Sequence, residues 1–271
     1  MTRPLLPVAA DVAERLARTP LLLMLDVDGT LAPIAPRPAD AQVPPKTKRL
    51  VAALAAHPDI TVAFVSGRAA SDVARIAGVA GAWVVGNHGF EILRPDGSPL
   101  DGTALGDARD AVAAALREIV DVAAPIPGVL IEDKRWTASV HFRLAHASAG
   151  AELRAAVERA ASHHGLRVME GKKVFEIRPN EDVSKGTVSV RLARELVPAG
   201  RGAVVYLGDD ATDEDAFTSL RASVAGAVTA RVTNGDGART AAEFSLEDTA
   251  AVAGFLQWLT VARHVRAPNG P

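Results

Sequence analysis

Cysteine is absent from this chain of 271 residues, and its absence excludes several kinds of site. A protein without thiols has no disulfide framework, no thiolate-bound zinc and no cysteine nucleophile. This composition fits a reducing compartment. Catalysis in such a chain has to use oxygen and nitrogen groups.

A strong excess of charge of either sign is also absent. The chain has 30 Lys and Arg residues against 32 Asp and Glu residues, a formal net charge of -2 at pH 7. Such a balance provides no general attraction to nucleic acid or to anionic membranes, so we expect neither as a partner. A site for phosphate would need cations placed locally.

Long apolar runs are missing near the start of the chain. The run Leu21–Leu25 ends at Asp26 and is far shorter than the ~20 residues that a membrane span needs. Arg3, Asp11, Glu14 and two further arginines interrupt the first 20 residues, which excludes a signal-peptide core there. We therefore expect a soluble, cytoplasmic protein.

Aromatic residues make up only 4% of the chain, so the core is expected to be mainly aliphatic. The runs Leu21–Leu25, Ile60–Val65 and 203–207 are almost entirely apolar and do not alternate, which is typical of strands buried on both faces of a parallel sheet. Helical patterns separate these runs. Strand, helix and strand in this rhythm predict right-handed crossovers and an α/β fold with a Rossmann-like parallel sheet.

The rhythm changes between residues 102 and 181, where the pattern reads helix, strand, strand, helix, strand, strand. In the predicted strand 137–144, polar and apolar residues alternate, so one face of that sheet should be polar and the other should be covered by helices. We predict an inserted α+β domain over residues 102–181, and a core domain made of residues 1–101 and 182–271.

Two acidic clusters follow buried runs. Asp26 and Asp28 come directly after the first run, and two such carboxylates can divide nucleophilic attack and proton transfer between them. Asp209, Asp210 and Asp213 follow the run 203–207. Ligands that offer only oxygen suit Mg²⁺ better than zinc, so the clusters together indicate a magnesium site. Either cluster alone is equally compatible with an ordinary Asp/Gly turn.

Two further residues could bind phosphoryl oxygens. Ser66 follows the run Ile60–Val65 and offers a hydroxyl, and Lys185 precedes a predicted helix and offers a positive charge. Taken separately, they are more typical of a helix cap and a solvated lysine. Their combination with the two acidic clusters favours a phosphoryl site.

The order of these motifs resembles the haloacid dehalogenase superfamily of phosphotransferases, in which an insertion between the serine and the lysine forms a cap domain. Shorter sequence strings are more specific, and they are residues 26–31, 66–68, 87–89, 132–134, 141–143, 176–179, 185–186 and 208–217. These strings resemble the trehalose-phosphate phosphatase family, although Val27 replaces an aromatic residue common there and Asn87 stands at a variable position. The resemblance extends over residues 21–255.

The resemblance implies a Mg²⁺-dependent phosphatase that converts trehalose 6-phosphate to trehalose and phosphate. Asp26 would attack phosphorus to form an aspartyl-phosphate, and Asp28 would protonate the sugar oxygen and later activate water. Ser66 and Lys185 would bind the phosphoryl oxygens. The Asp26 side chain, the Asp28 carbonyl and the acids of residues 209–213 would hold Mg²⁺. A trehalose-phosphate synthase is a candidate partner.

Polar side chains of the loops and of the predicted polar sheet face are the candidates for substrate binding, since cap glutamates and a lysine hold the sugar in the resembling family. Without the resemblance, a solvated antiparallel face with cross-strand charge pairs is the better explanation for those on the cap, and a packing role explains Arg68, His88 and His141 as well as substrate contact does. The candidates are Arg68, Asn87, His88, Glu132, Lys134, His141, Lys172, Glu176 and Arg178.

Three other functions fit parts of the pattern. A different sugar phosphatase would share the architecture and differ in the polar cap residues. A non-catalytic sugar-phosphate sensor or synthase partner would not need Asp26, Asp28 or Lys185 intact. A dehalogenase also uses a nucleophilic aspartate, but it needs no metal and would not be expected to keep the second acidic cluster.

Overall fold

The computed structural model of the protein describes residues 2–35, 37–100 and 106–264. The chain divides into two compact units. The first consists of Met1–Leu100 and Val183–Pro271, and the second of Asp101–Asp182. Within the described residues, no helix is both long and apolar enough to cross a membrane.

The first unit begins with strands and helices in alternation, and a short strand closes this part of it. In chain order they are β1 (Arg3–Pro4), α1 (Ala10–Leu16), β2 (Leu21–Leu25), α2 (Pro45–Ala55), β3 (Ile60–Val65), α3 (Ala70–Ala77), β4 (Trp83–Gly86) and β5 (Glu91–Leu93).

The second unit has the predicted order of helix and paired strands, repeated once. Its elements are α4 (Gly106–Ala123), β6 (Leu130–Asp133), β7 (Ala138–His141), α5 (Ala149–His163), β8 (Leu166–Gly171) and β9 (Val174–Pro179). The strands form an antiparallel sheet in the order β6-β7-β9-β8. Residues of α4 and α5 such as Ile119 and Val157 cover one face, where they pack with Val140 and Phe175.

After the second unit the alternation of helix and strand resumes. The remaining elements are α6 (Lys185–Leu196), β10 (Ala203–Gly208), α7 (Ala211–Ser223), β11 (Val228–Val232), β12 (Phe244–Leu246) and α8 (Thr249–His264).

The strands of the first unit form one eight-stranded sheet among the described residues, in the order β1-β12-β11-β10-β2-β3-β4-β5. Every neighbouring pair is parallel except β4 and β5. From β2 the chain builds outward through β3 and β4, whereas the later strands lie on the other side of β2. The strand order therefore reverses between β2 and β10, and ligands of open α/β sheets bind at such a point.

Both faces of β2 are buried, which explains why its sequence does not alternate. Leu21 and Leu23 pack in a cluster with Phe255 of α8, and Leu22 packs on the other side with Phe217 of α7. Each buried leucine contributes about 1.5–3 kcal/mol. The predicted α/β fold with a parallel sheet and helices on both faces is confirmed.

The sequence pattern at residues 95–97 predicts a hairpin, and Leu93 pairs antiparallel with Pro99 across that turn. The edge strand β5 also pairs antiparallel with β4. One detail of the prediction is wrong. The predicted strand 137–144 ends early, at His141, because the chain turns there and the Ala145 N–H donates to the Phe142 carbonyl. Leu144 therefore does not join the apolar face, and 87% of it is exposed.

Candidate active site

Three neighbouring strands of the first unit end in polar side chains at the same edge of the sheet. Asp26 follows β2, Ser66 follows β3 and Asp209 follows β10. The backbone continues the sheet pairing at this point, since the Asp26 N–H donates to the Leu207 carbonyl at 2.9 Å. Asp26 and Ser66 are both buried. This edge of the sheet thus brings together Asp26 and Asp209, which are far apart in the sequence.

Lys185 reaches this edge from the first turn of α6. The helix begins there because Ser184 and Thr187 form a capping box. The buried ammonium of Lys185 donates to Asp26 Oδ1 and to Asp213 Oδ1, each at 2.8 Å. Burial alone would lower the pKa of Lys185, but the carboxylates of Asp213 and Asp26 raise that pKa well above its ordinary value. Lys185 is therefore a fixed positive charge.

Asp213 is buried with both carboxylate oxygens occupied. Its Oδ1 accepts from Lys185 and, at 2.7 Å, from the Tyr206 hydroxyl. Its Oδ2 accepts from the backbone N–H groups of Asp209 and Asp210, at 2.9 and 3.0 Å. Four donors fill the acceptor sites of a carboxylate, so Asp213 holds neighbouring groups in place and has no oxygen left for a cation.

Asp210 begins α7. Its Oδ1 accepts from the backbone N–H groups of Thr212 and Asp213 at 2.8 and 3.0 Å and from the Thr212 hydroxyl at 2.7 Å. Burial opposes ionisation, but Lys185 and the hydrogen bonds from Thr212 and Asp213 outweigh it and lower the pKa of Asp210 well below its usual range. Asp210 therefore acts as an ionised helix cap.

Asp209 differs from both of these acids, because its Oδ1 is buried and accepts no hydrogen bond within the described residues. Burial, together with the charges of Asp213 and Asp210, raises the pKa of Asp209 to about 7. One oxygen each of Asp26, Asp209 and Asp213 lies within 4.8 Å of the other two. A buried carboxylate oxygen without a donor, beside other carboxylates, fits a hard divalent cation such as Mg²⁺. Asp26 and Asp209 have the oxygens to hold it.

The loop after β2 is held against this cluster by two contacts. Gly29 has a φ of +76°, and a Cβ at this position would collide with the Asp209 carboxylate. Asn234, which follows β11, donates from Nδ2 to the Gly29 carbonyl at 3.0 Å. Glycine is therefore required here both by backbone conformation and by close approach.

We expect Gly29→Ala to weaken divalent-ion binding, because the added methyl group pushes the Asp209 carboxylate aside. The affinity for Mg²⁺ should fall by about tenfold or more, and the positive φ should cost roughly 1 kcal/mol of folding stability. Isothermal titration with Mg²⁺ and thermal unfolding measure the two effects.

Gly81→Ala is the matched control, since Gly81 has the same φ of +76° and a Cβ added there would meet no atom of the described residues within 4 Å. It should show the same backbone strain with unchanged Mg²⁺ binding. Equal Mg²⁺ affinities for the two variants would contradict the assignment of Asp209.

Arg68 forms a bidentate ion pair with Asp28. Nε donates to Oδ2 at 2.5 Å and Nη2 donates to Oδ1 at 2.7 Å. The Asp28 side chain is 37% exposed, whereas Asp26 is buried. The structure thus places Arg68 on the second carboxylate of the predicted pair, where it fixes the direction of that side chain.

Asn87 and His88 connect the loops after β3 and β4. The buried Asn87 donates to Glu91 Oε2 at 3.0 Å, and the same oxygen accepts from the Ala70 N–H at 2.7 Å. The His88 ring lies against Gly67, where a Cβ would collide with it. Asn87 and His88 have positive φ values of 49° and 58°, which is strained for residues other than glycine. These contacts hold the backbone around Ser66.

In the second unit, two of the predicted residues lie around the carboxylate of a third. Glu132 Oε2 lies 3.2 Å from His141 Nε2 and 3.9 Å from Lys134 Nζ. On the same sheet, Glu132 and Glu176 flank Ser139 in register, on the face opposite the two helices.

The remaining three candidates of the second unit are Glu176, Arg178 and Lys172. Arg178 Nη2 donates to Glu176 Oε2 at 3.3 Å, and the largest effect on Arg178 is burial, which lowers its pKa. Lys172 is exposed in the turn between β8 and β9.

A comparison of the sequence with models of known protein families identifies the family of this chain. A family model described as trehalose-phosphatase matches residues 24–250. The chain belongs to the trehalose-phosphatase family. The resemblance drawn from the sequence motifs is confirmed.

Relatives in the trehalose-phosphatase family cover most of this chain. It is 39% identical over 251 residues to a trehalose-phosphate phosphatase of Mycobacterium avium, with 91% of this chain and 64% of that protein covered. The chain thus spans just under two thirds of the length of that relative. A solved trehalose-6-phosphate phosphatase of Aspergillus fumigatus is 28% identical, with a TM-score of 0.70 over 97% of this chain and 100% of that chain.

A haloacid dehalogenase-like hydrolase of B. subtilis shares the fold. Its TM-score is 0.56 at 17% identity, over 87% of this chain and 98% of that chain. The predicted haloacid dehalogenase-like fold of this trehalose-phosphatase family member is therefore confirmed.

Three residues of the candidate site were missed by the sequence reasoning. Tyr206 had a detectable signal, because it is the one tyrosine of the chain and interrupts an apolar strand just before an acidic cluster. Asn234 and Glu91 gave no comparable signal, since they act through a backbone carbonyl and a loop amide that become neighbours only in the fold.

Proposed function

We propose that this chain is a Mg²⁺-dependent phosphatase that hydrolyses trehalose 6-phosphate to trehalose and phosphate through an aspartyl-phosphate. The observation that carries the proposal is the group of Asp26, Lys185 and Asp209, in which Lys185 pairs with the predicted nucleophile and the buried Oδ1 of Asp209 accepts no hydrogen bond from the part of the chain that the structure describes. The substrate follows from the family and from the names of its relatives.

In the first step, a carboxylate oxygen of Asp26 attacks phosphorus while the bond from phosphorus to the sugar oxygen breaks. Oδ2 of Asp26 suits this attack, because Lys185 occupies Oδ1. Asp28 gives a proton to the departing sugar oxygen, so Arg68 must tolerate Asp28 in its neutral form at that moment. In the second step, Asp28 takes a proton from water, the water oxygen attacks phosphorus, and Asp26 is released.

Positive charge and hydrogen-bond donors position the phosphoryl group. Lys185 offers a fixed cation, and the Ser66 hydroxyl keeps its hydrogen available because its oxygen accepts from the Arg68 N–H at 3.2 Å. Mg²⁺, held by Asp26, Asp209 and the backbone carbonyl of Asp28, would offset the repulsion between carboxylate and phosphate. Asp210 and Asp213 contribute by keeping Asp209 and Lys185 in place.

We also propose that the second unit is the cap domain and that its polar sheet face binds the sugar. A disaccharide offers many hydroxyl groups and no charge, so its recognition needs several side chains that donate and accept hydrogen bonds. Glu132, Lys134, His141, Glu176 and Arg178 provide these groups. Lys172 and the loop residues Asn87 and His88 remain candidates for contact with the substrate.

Phosphate release from three sugar phosphates tests the proposed function. The enzyme should turn over trehalose 6-phosphate in Mg²⁺ at least about tenfold faster, in kcat/KM, than sucrose 6-phosphate or glucose 6-phosphate, the margin that one or two specific hydrogen bonds supply. EDTA should stop the reaction. Equal rates on all three substrates would exclude the specificity, and turnover in EDTA would support a metal-independent dehalogenase-type site.

Replacing Glu132 tests whether the substrate is trehalose 6-phosphate or the phosphate of another sugar. In Glu132→Ala, kcat/KM for trehalose 6-phosphate should fall by about tenfold or more, the loss that follows when a hydrogen bond to a charged group is removed. Glu158→Ala removes an exposed glutamate of α5 and serves as the control. Unchanged turnover in Glu132→Ala would favour the alternative substrate class.

A further inference from the structure

Tyr206 is the one tyrosine of the chain and is fully buried within β10. Its ring packs edge-on against Phe217, with ring centroids 5.7 Å apart. Phenylalanine would fill the same volume without burying a hydroxyl group, which is unfavourable unless the group is hydrogen-bonded. The hydroxyl therefore calls for an explanation beyond packing.

A hydrogen bond to Asp213 satisfies the buried hydroxyl of Tyr206. The hydroxyl donates to Asp213 Oδ1 at 2.7 Å, the same oxygen that accepts from Lys185. Lys185 Nζ in turn lies 2.8 Å from both Asp213 Oδ1 and Asp26 Oδ1. Two carboxylates thus compete for one ammonium group, and Tyr206 is a second donor to one of them.

We propose that Tyr206 is a positioning residue that sets where Lys185 lies between Asp213 and Asp26. By donating to Asp213 Oδ1, the hydroxyl offsets part of the negative charge that would otherwise draw the ammonium toward Asp213. Lys185 then stays beside Asp26, where the phosphoryl oxygens of the proposed substrate arrive. The effect expected on kcat rests on the proposed phosphatase function. The arrangement of the side chains of Tyr206, Asp213, Lys185 and Asp26 does not depend on that function.

Tyr206→Phe tests the kinetic consequence, since it removes the hydroxyl and keeps the ring. We expect kcat for trehalose 6-phosphate to fall about tenfold, the effect of one buried hydrogen bond to a charged group, with KM changed less than twofold. Val204→Ala is the control, because Val204 lies two residues earlier on β10 in the same core cluster. The control should lower the melting temperature and leave kcat unchanged.

A second measurement is independent of activity and of metal. Incorporation of 3-fluorotyrosine labels Tyr206 alone, so the metal-free protein should give one ¹⁹F resonance. Neutralising Asp26 in Asp26→Asn releases Lys185 toward Asp213 and should shift that resonance. Asp28→Asn should leave it in place, because Asp28 pairs with Arg68 instead of Lys185.

The two measurements distinguish failure of this inference from failure of the proposed function. If the wild-type enzyme hydrolyses trehalose 6-phosphate and Tyr206→Phe is equally fast, the positioning role is wrong. A ¹⁹F resonance that is the same in wild type and Asp26→Asn also overturns it, whatever the substrate. A wild-type protein inactive on this substrate, with the ¹⁹F shift present, overturns only the proposed function.

Discussion

Asp26→Asn is expected to lower kcat for phosphate release from trehalose 6-phosphate by about 10⁴-fold or more, as removal of a catalytic nucleophile does in other covalent enzymes. The amide keeps the size of the carboxylate but cannot form the acyl-phosphate bond. Lys185 retains Asp213 as an ionic partner, so the variant should fold. Initial rates at saturating substrate and Mg²⁺ give the comparison.

The control for this variant is Asp72→Asn, which removes an exposed carboxylate on α3 that pairs with Arg75. It should retain wild-type kcat. Asp26→Ala repeats the test with a side chain that cannot revert to aspartate by deamidation. Residual activity within tenfold of wild type in both Asp26 variants would show that the nucleophile is another group.

Lys185→Met is expected to have the largest effect on stability. Removing the ammonium leaves Asp26 and Asp213 as buried carboxylates without a counter-charge, and breaking a buried ion pair from one side costs about 3–5 kcal/mol. Phosphatase activity should be lost in the fraction that remains folded, because the ammonium proposed to bind the phosphoryl oxygens is gone. Urea unfolding measures the change in the free energy of unfolding.

A second variant separates charge from packing. In the double variant Lys185→Met with Asp213→Asn, one of the buried negative charges is removed, so part of the lost stability should return. Lys46→Met replaces an exposed lysine at the start of α2 and should change the free energy of unfolding by less than about 0.5 kcal/mol. A Lys185→Met variant as stable as Lys46→Met would contradict the buried ion pairs.

The strands that position the site could be predicted from the sequence because each is almost entirely apolar and ends abruptly. β2 and β3 begin and end where their apolar runs do, at Leu21–Leu25 and Ile60–Val65. Short elements at the sheet edge were less predictable. β5 has three residues, too few for a periodic pattern, and its pairing with β4 depends on the loop at residues 87–89.

The residue types of the candidate site were also predictable, whereas their separate tasks were not. Spacing along the chain cannot tell which carboxylate oxygens already accept hydrogen bonds. In the fold, Tyr206, Lys185 and two backbone N–H groups occupy the oxygens of Asp213, whereas Oδ1 of Asp209 accepts no hydrogen bond from residues 2–35, 37–100 and 106–264. The pairing of Arg68 with Asp28 likewise depends on how two loops meet.

A rapid-quench experiment on a single turnover tests the central role of Asp26 most directly. Excess enzyme is mixed with trehalose 6-phosphate that carries a radioactive phosphoryl group, quenched in acid, digested and mapped. We predict that label appears transiently on the peptide that contains Asp26 before free phosphate accumulates. Free phosphate released without any labelled protein, or label on a peptide lacking Asp26, would contradict this account.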